Sequence, residues 1–396
     1  MTPLSVTGFA LASSLGHGTG AAFEALMGAT SGLRRNDFLD CALETYIGRV
    51  AGVEAEELPQ SLARFDSRCS RLAQLGLRQD SFTDRVADAA QRHGPDRVGV
   101  FIGTSSSGIL EAELGFRQRD PETGALPSTL KFRETYSLYS VTEFVRQRFA
   151  LSGPSCTVSS ACSSSAKVFA SAARAIAAGL CDAAVVGGVE TLCFTTLHGF
   201  AALELLSQQP CKPCDEARNG ISIGEAAAFV LLESAEDRGG DLALLGYGES
   251  SDAHHMSTPH PEGIGAARAM RAALTSAGLQ PSEIEYVNLH GTATRNNDAA
   301  EDAAVYSVFG DAVACSATKG WTGHALGASG ALEAVVALLC IQHEFIPGTV
   351  NSRRVDPRFR CQVKLEGSAR PIATAMSNSF GFGGSNCSLI FGKPWN

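Results

Sequence analysis

Basic residues are in short supply. Thirty-two Lys and Arg stand against 41 Asp and Glu, a formal net charge of −9 at pH 7 with a pI near 5.5. A surface that tracks phosphates needs a basic excess, so nonspecific nucleic-acid binding is disfavoured and only a local basic patch for an acidic carrier partner stays open. Charge of either sign is scarce, at 18%, against 44% hydrophobic residues over 396 positions, which indicates a compact globular protein of one large or two fused domains. No apolar run approaches the ~20 residues of a bilayer span, and "MTPLSVTGFALASSLGHG" lacks the basic leader and cleavage pattern of a signal peptide. A cytoplasmic location without a membrane span is therefore expected. Low-complexity tracts and short repeats are also missing.

Cysteine is not lacking, but a disulfide framework is. The 12 cysteines are scattered through apolar segments and read as reduced core residues. Cys211 and Cys214 in "PCKPCDE" have C-x-x-C spacing, yet no second pair or His-x-x-x-His partner accompanies them. The expectation is a loop with two thiols and no metal site.

Apolar runs "RVGVFIG", "AAVVGGVETL", "AAAFVLLES", "IEYVNLHG" and "SNCSLIFG" alternate with Ala-rich helical stretches "SSAKVFASAARAIAAG", "IGAARAMRAALTSAG" and "GASGALEAVVALLC". This predicts an α/β fold whose sheets are buried on both faces. Gly239-Gly240, in a polar link, marks a seam between two strand-helix-strand halves, 1–240 and 241–396. Residues 115–140 have weak periodicity and read as an excursion or cap.

In "VSSACSSSAKVFASAARAIAAG" a cysteine, Cys162, stands where an extended segment gives way to a small-residue helix. Unpaired N–H groups and the helix dipole there favour a thiolate, a good nucleophile toward acyl groups. An arbitrary cysteine is more often an inert core thiol, so the assignment depends on the rest of the chain. His290 opens "HGTATRNNDAAED" at a strand end. His324 lies in "SATKGWTGHALGASGALEA", with Lys319 before it and Glu333 after it. Each alone reads as a core histidine; together they suit a cysteine site that must hold negative charge on a carbonyl oxygen. The Gly-rich "SNSFGFGGSN" leads into a strand, whereas a dinucleotide fingerprint opens a helix, so a nucleotide site is rejected in favour of a gate or oxyanion donor carrying Phe380 and Phe382. "GTSSSG" lacks the spacing of a nucleophile elbow.

Taken in order, "SSACSSS", "SDAHHMSTPHPEG", "HGTATRNND", "SATKGWTGHALGASGALEA" and "SNSFGFGGSN" resemble the elongating β-ketoacyl-acyl carrier protein synthases, and the resemblance covers nearly the whole chain. It implies a thiolase-type fold of duplicated halves forming a five-layer α/β/α/β/α core, usually a homodimer. A heterodimer with a related ketosynthase or chain-length subunit is the alternative. The implied activity is decarboxylative condensation of an enzyme-bound acyl thioester with a malonyl thioester, both delivered on the phosphopantetheine arm of acyl carrier protein, with no cofactor. Residue by residue, Cys162 matches the acyl-accepting nucleophile. His290 and His324 match the pair serving malonyl decarboxylation, and Lys319 with Glu333 matches an ion pair expected to position His324. The backbone N–H groups of Cys162 and Phe382 are expected to hold the thioester oxygen, with Phe382 also the gate. Thr292, Thr294 and Ser257 match contacts to the arm, and Asp298 and Glu301 match carboxylates that brace the loop.

Ser105, Ser106 and Ser107 stand where some relatives place bulkier residues, so Ser106 is expected to line a roomy acyl pocket. That feature and the divergent stretch 43–80 point to a dedicated pathway such as polyene assembly rather than housekeeping lipid synthesis. Three rivals remain. A thiolase needs a second catalytic cysteine, and Cys387 lies on a predicted strand. A noncatalytic chain-length subunit characteristically loses the nucleophile. An initiating synthase, which uses an acyl-coenzyme A primer, normally carries a Cys-His-Asn set, and the second histidine in "TGHALG" favours the elongating class.

Overall fold

The computed structural model describes residues 1–234 and 241–393. The Gly239-Gly240 link, and with it the 240/241 boundary, lies outside them. Ten strands carry the architecture. In the first half they are β1 (Leu4–Ser13), β2 (Val98–Gly103), β3 (Ser155–Val158), β4 (Ala183–Glu190) and β5 (Ala226–Ser234). In the second they are β6 (Ala243–Ser251), β7 (Tyr286–Asn288), β8 (Ala314–Ser316), β9 (Thr374–Gly381) and β10 (Ser385–Gly392).

The two sets have one topology. The sheet runs β3-β2-β4-β5-β1 in the first half and β8-β7-β9-β10-β6 in the second, which in each half's own chain order is 3-2-4-5-1. In both, the strands ranked 3, 2 and 4 are parallel and those ranked 4, 5 and 1 antiparallel. The arms join through a short antiparallel pairing, Leu4 with Leu244 and Ser5 with Ala243.

Helices α1 (Arg68–Leu77) and α2 (Ser140–Arg148) cover the outer face of the first arm. Between the arms lie α3 (Ser164–Ala177) and the later α6 (Ser329–His343), packed on each other, and α4 (Ile264–Ala277) and α5 (Arg295–Phe309) close the far side. This is the expected five-layer order. Strand alternation divides the side chains between cores: along β5, Ala226, Ala228, Val230 and Leu232 enter the core between the arms, while Ala227, Phe229 and Leu231 enter the outer one. Residues 326–343 are long and apolar enough to cross a membrane, but 89% of that stretch is buried, the mark of a core helix, here packed against α3 and the strands of both arms. The layers meet closely at the first turn of α3, where a Cβ on Gly103 would lie 2.3 Å from the Ser165 nitrogen.

Candidate active site

The nucleophile turn is built by serines. After β3 the chain reverses through Ala161, whose φ of 52° is left-handed, and delivers Cys162 two residues before α3 begins. Ser164 Oγ accepts the Ser160 N–H at 2.9 Å and donates to the Ala161 carbonyl at 2.6 Å, while Ser163 Oγ donates to the Ser160 carbonyl at 2.9 Å. These local bonds hold a turn that a non-glycine residue adopts only at a cost. The Gly-rich turn after β9 comes down on it, close enough that a Cβ on Gly381 would lie 2.9 Å from the Ser160 carbonyl.

The expectation of a thiolate is corrected. Cys162 is 5% exposed, and burial pushes its thiol up to about 11, against the opposing pull of Lys319 and of the backbone N–H groups of Phe382 and Cys162 itself. Burial thus outweighs these donors and favours the protonated thiol over the thiolate. The two N–H groups are nevertheless directed at Sγ, where the oxygen of an acyl thioester would need donors.

His324 faces that sulfur, with Nε2 3.1 Å from Sγ. Its other nitrogen, Nδ1, accepts the Leu326 N–H at 3.2 Å, and a backbone N–H can only donate. The ring proton therefore sits on Nε2. Ser329 Oγ lies 2.9 Å from the same Nδ1. His290 is fixed the same way by a different group: the Lys319 ammonium donates to its Nδ1 at 3.2 Å and also to its carbonyl, leaving Nε2 protonated. Burial first, then Lys319, holds both imidazoles well below their ordinary range, so both are neutral at physiological pH. Their ring centroids are 5.3 Å apart and nearly perpendicular.

Lys319 is the second correction. Gly323, with φ at 72°, turns the chain between Lys319 and His324, and the ammonium reaches His290 instead. Glu333, one turn into α6, binds Lys319 at 2.5 Å with both side chains under 3% exposed; burial pushes its carboxyl up to about 7. Glu301 on α5 accepts the N–H groups of His290 and Gly291 at 2.7 and 2.8 Å. Asp298 accepts those of Ala293 and Cys214 at 3.1 and 2.8 Å, and Thr294 caps α5 through the Asn297 N–H.

Cys162, His290, His324, Phe380 and Phe382 line a cavity of about 630 Å³ whose walls include Thr292, Thr294 and Ser257. The Phe382 ring packs on Phe200 at 5.8 Å. Ser106, expected to line an acyl pocket, is not among the residues lining this cavity. Its hydroxyl and N–H, with those of Ser105 and the N–H of Gly327, surround the buried carboxylate of Glu190 at the end of β4. Glu190 escaped the sequence reading because its donors come from positions 105, 106 and 327. Ser329 escaped too, although a hydroxyl inside the apolar run after His324 was a visible signal.

Among the described residues one group of three side chains, Cys162, His290 and His324, brings metal-capable atoms within 4.8 Å of one another. The surrounding bonds do not fit a metal. A histidine ligating through Nε2 carries its proton on Nδ1 and gives it to an acceptor, whereas here both Nδ1 atoms face donors.

Comparison with known proteins completes the description. The family model for the N-terminal domain of beta-ketoacyl synthase matches residues 1–238, and that for the C-terminal domain matches residues 243–353. The chain is 31% identical over 411 residues to 3-oxoacyl-[acyl-carrier-protein] synthase 2 of Staphylococcus aureus, covering 98% of this chain and 97% of that one. It is similar to a ketosynthase solved in complex with its chain length factor from Xenorhabdus doucetiae (TM-score 0.90, 36% identity, 99% and 98% of the two chains). It is also similar to the ishigamide ketosynthase/chain length factor (TM-score 0.88, 27% identity, 100% of both chains).

Proposed function

The chain belongs to the β-ketoacyl synthases, condensing acyltransferases of fatty-acid and polyketide synthesis, and on that premise we propose that Cys162, His290 and His324 divide the reaction between them. The observation that carries this is the convergence on one thiol of two neutral imidazoles, each fixed with its proton on Nε2.

Cys162 Sγ attacks the carbonyl of an acyl thioester on carrier protein; the arm leaves with its sulfur and takes a proton. The N–H groups of Cys162 and Phe382 hold the oxygen of the tetrahedral intermediate. A malonyl thioester then enters along Thr292, Thr294 and Ser257 with its carbonyl oxygen toward His290 and His324. As its carbon–carboxylate bond breaks and carbon dioxide leaves, the electron pair moves onto that oxygen, where two N–H donors stabilise charge absent from the ground state. The enolate carbon attacks the Cys162 thioester and sulfur departs. This scheme needs no cofactor, since positioned N–H groups hold the charge.

Two rivals fit less well. A thiolase would present a second cysteine at the cavity, but Cys387 is fully buried on β10, paired across the sheet with Glu249 and Ser379. A noncatalytic chain-length subunit has no use for the Cys162 turn. The test is to follow carbon dioxide release from malonyl-carrier protein: His290→Ala and His324→Ala are each expected to slow it about 10²- to 10³-fold, the usual cost of one oxyanion donor, while Cys162 is still acylated. Full decarboxylation in either variant would remove that histidine from the scheme.

We further infer pairing with a chain-length-factor subunit in a polyketide or polyene pathway. Two solved relatives with ketosynthase/chain length factor composition support this. So does the segment 116–139, which exposes five large apolar side chains, Phe116 and Phe132 at 56% and 63% among them, with Leu126, Leu138 and Tyr139. Light scattering of the chain alone and co-expressed with such a subunit is expected to show a heterodimer that condenses faster than the chain alone. A fully active homodimer would overturn it.

A further inference from the structure

We propose that Ser329 is a positioning residue for the decarboxylation step: its hydroxyl, together with the Leu326 N–H, holds His324 in the tautomer that presents Nε2–H to the malonyl oxygen. The inference rests on the role given to His324 above.

Three observations carry it. Ser329 opens α6, is 1% exposed, and places Oγ 2.9 Å from His324 Nδ1. Among the described residues no other side-chain hydrogen bond is made by that hydroxyl. Because Nδ1 already accepts the Leu326 N–H at 3.2 Å, its lone pair faces outward and the Ser329 hydroxyl must donate. Leu326 sits at a left-handed φ of 45°, a conformation costly for leucine, so the backbone donor is held by a strained residue. Ser329, in the first turn of α6, supplies a donor from a different element.

The chemical consequence is direct. Decarboxylation breaks the malonyl carbon–carboxylate bond and places the electron pair on the thioester oxygen; His324 keeps its proton and only donates a hydrogen bond. Donors at Nδ1 withdraw electron density from the ring, make Nε2–H a stronger donor, and oppose protonation of the ring. The other groups facing His324 are Cys162, His290 at 5.3 Å between ring centroids, and Lys319, backed by Glu333. Glu190 holds the intervening turn through the Gly327 N–H. Of these only Lys319 carries charge toward the ring, and it too disfavours the imidazolium. Without Ser329 one restraint on protonation is gone, so the acid limb of the pH profile moves upward.

The experiment uses full-length Ser329→Ala, a substitution that suits a helix start, and measures three quantities on each sample. Carbon dioxide release from malonyl-carrier protein is expected to fall about three- to tenfold, the range for one hydrogen bond. Acylation of Cys162, read by intact mass, is expected to be unchanged. The low-pH midpoint of decarboxylation is expected to rise by up to about one unit, the same tenfold factor expressed as protonation. Decarboxylation equal to the parent, acylation lost in proportion to it, or an unmoved midpoint each overturns the proposal. His324→Ala is assayed alongside. If that variant decarboxylates normally, the reading of the site fails; if it is inactive while Ser329→Ala is normal, only the role of Ser329 fails.

Discussion

Incubated with acyl-carrier protein, Cys162→Ala is expected to keep its parent mass and to lose condensation by at least about 10⁴-fold, the scale seen when a covalent nucleophile is removed. The expectation is sharp because the chain has 12 cysteines and Cys162 is the one that lines the cavity. Ten of the 12 are buried; only Cys156 and Cys361 are partly exposed. The Cys211 thiol donates to the Lys319 carbonyl at 3.1 Å and is buried away from the cavity lining. No neighbour is placed to take over the acyl group. The same variant should still release carbon dioxide from malonyl-carrier protein, because the N–H groups of His290 and His324 are fixed by Lys319, Leu326 and Ser329, none of which depends on the thiol. An acyl adduct that survives the substitution would sink the assignment of the nucleophile. Loss of both activities would show that the sulfur also shapes the malonyl site.

Much of this arrangement was legible in the sequence, and the parts that were not share a cause. Strands 226–234 and 385–392 match their apolar runs end to end, and helices 164–177, 264–277 and 329–343 fall on the Ala-rich stretches, because burial on both sides writes an unbroken apolar signal. β6 was hidden. Its Gly246 and Gly248 look like link residues, yet a Cβ on either would lie 2.7 or 2.0 Å from the carbonyls of Ala273 and Ala269 in α4, so the glycines serve a helix that follows later in the chain. β9 gives no apolar strand signal because it carries buried Asn378 and Ser379; Asn378 accepts from Ser388 on the neighbouring strand at 2.7 Å. At the site, motifs named the residues but not their pairings. The resemblance assigns Lys319 to His324, five positions on; the ammonium still acts on that ring through space, but its hydrogen bonds go to His290, after a turn at left-handed Gly323. The bond from the Ser106 hydroxyl to Glu190, a carboxylate 84 positions on, was not legible in the motif.

Lys319→Met is the variant in which stability and catalysis are expected to come apart. Removing the ammonium leaves the Glu333 carboxylate buried without a partner, a loss of about 3–5 kcal/mol when both groups are as enclosed as these. Part of the loss is avoidable by protonation. Burial already pushes Glu333 up to about 7 with Lys319 present, and removing the cation pushes it higher. A carboxyl whose folded-state pKa is raised costs stability as pH climbs from its unfolded value, about 4.3, through the folded one, so the variant should be nearly normal in acid and increasingly unstable through neutral pH. Lys319→Met/Glu333→Gln removes the stranded charge and should recover most of the loss, with little pH dependence, in denaturant titrations. Decarboxylation should not return. In both variants His290 Nδ1 has lost its donor, the ring is free to carry its proton there, and carbon dioxide release is expected to stay about 10²-fold down. Recovery of decarboxylation with stability would mean that Lys319 serves only to neutralise Glu333. A stable double variant that remains slow would separate the two tasks of one ammonium group, neutralising a buried carboxylate and fixing the tautomer of His290.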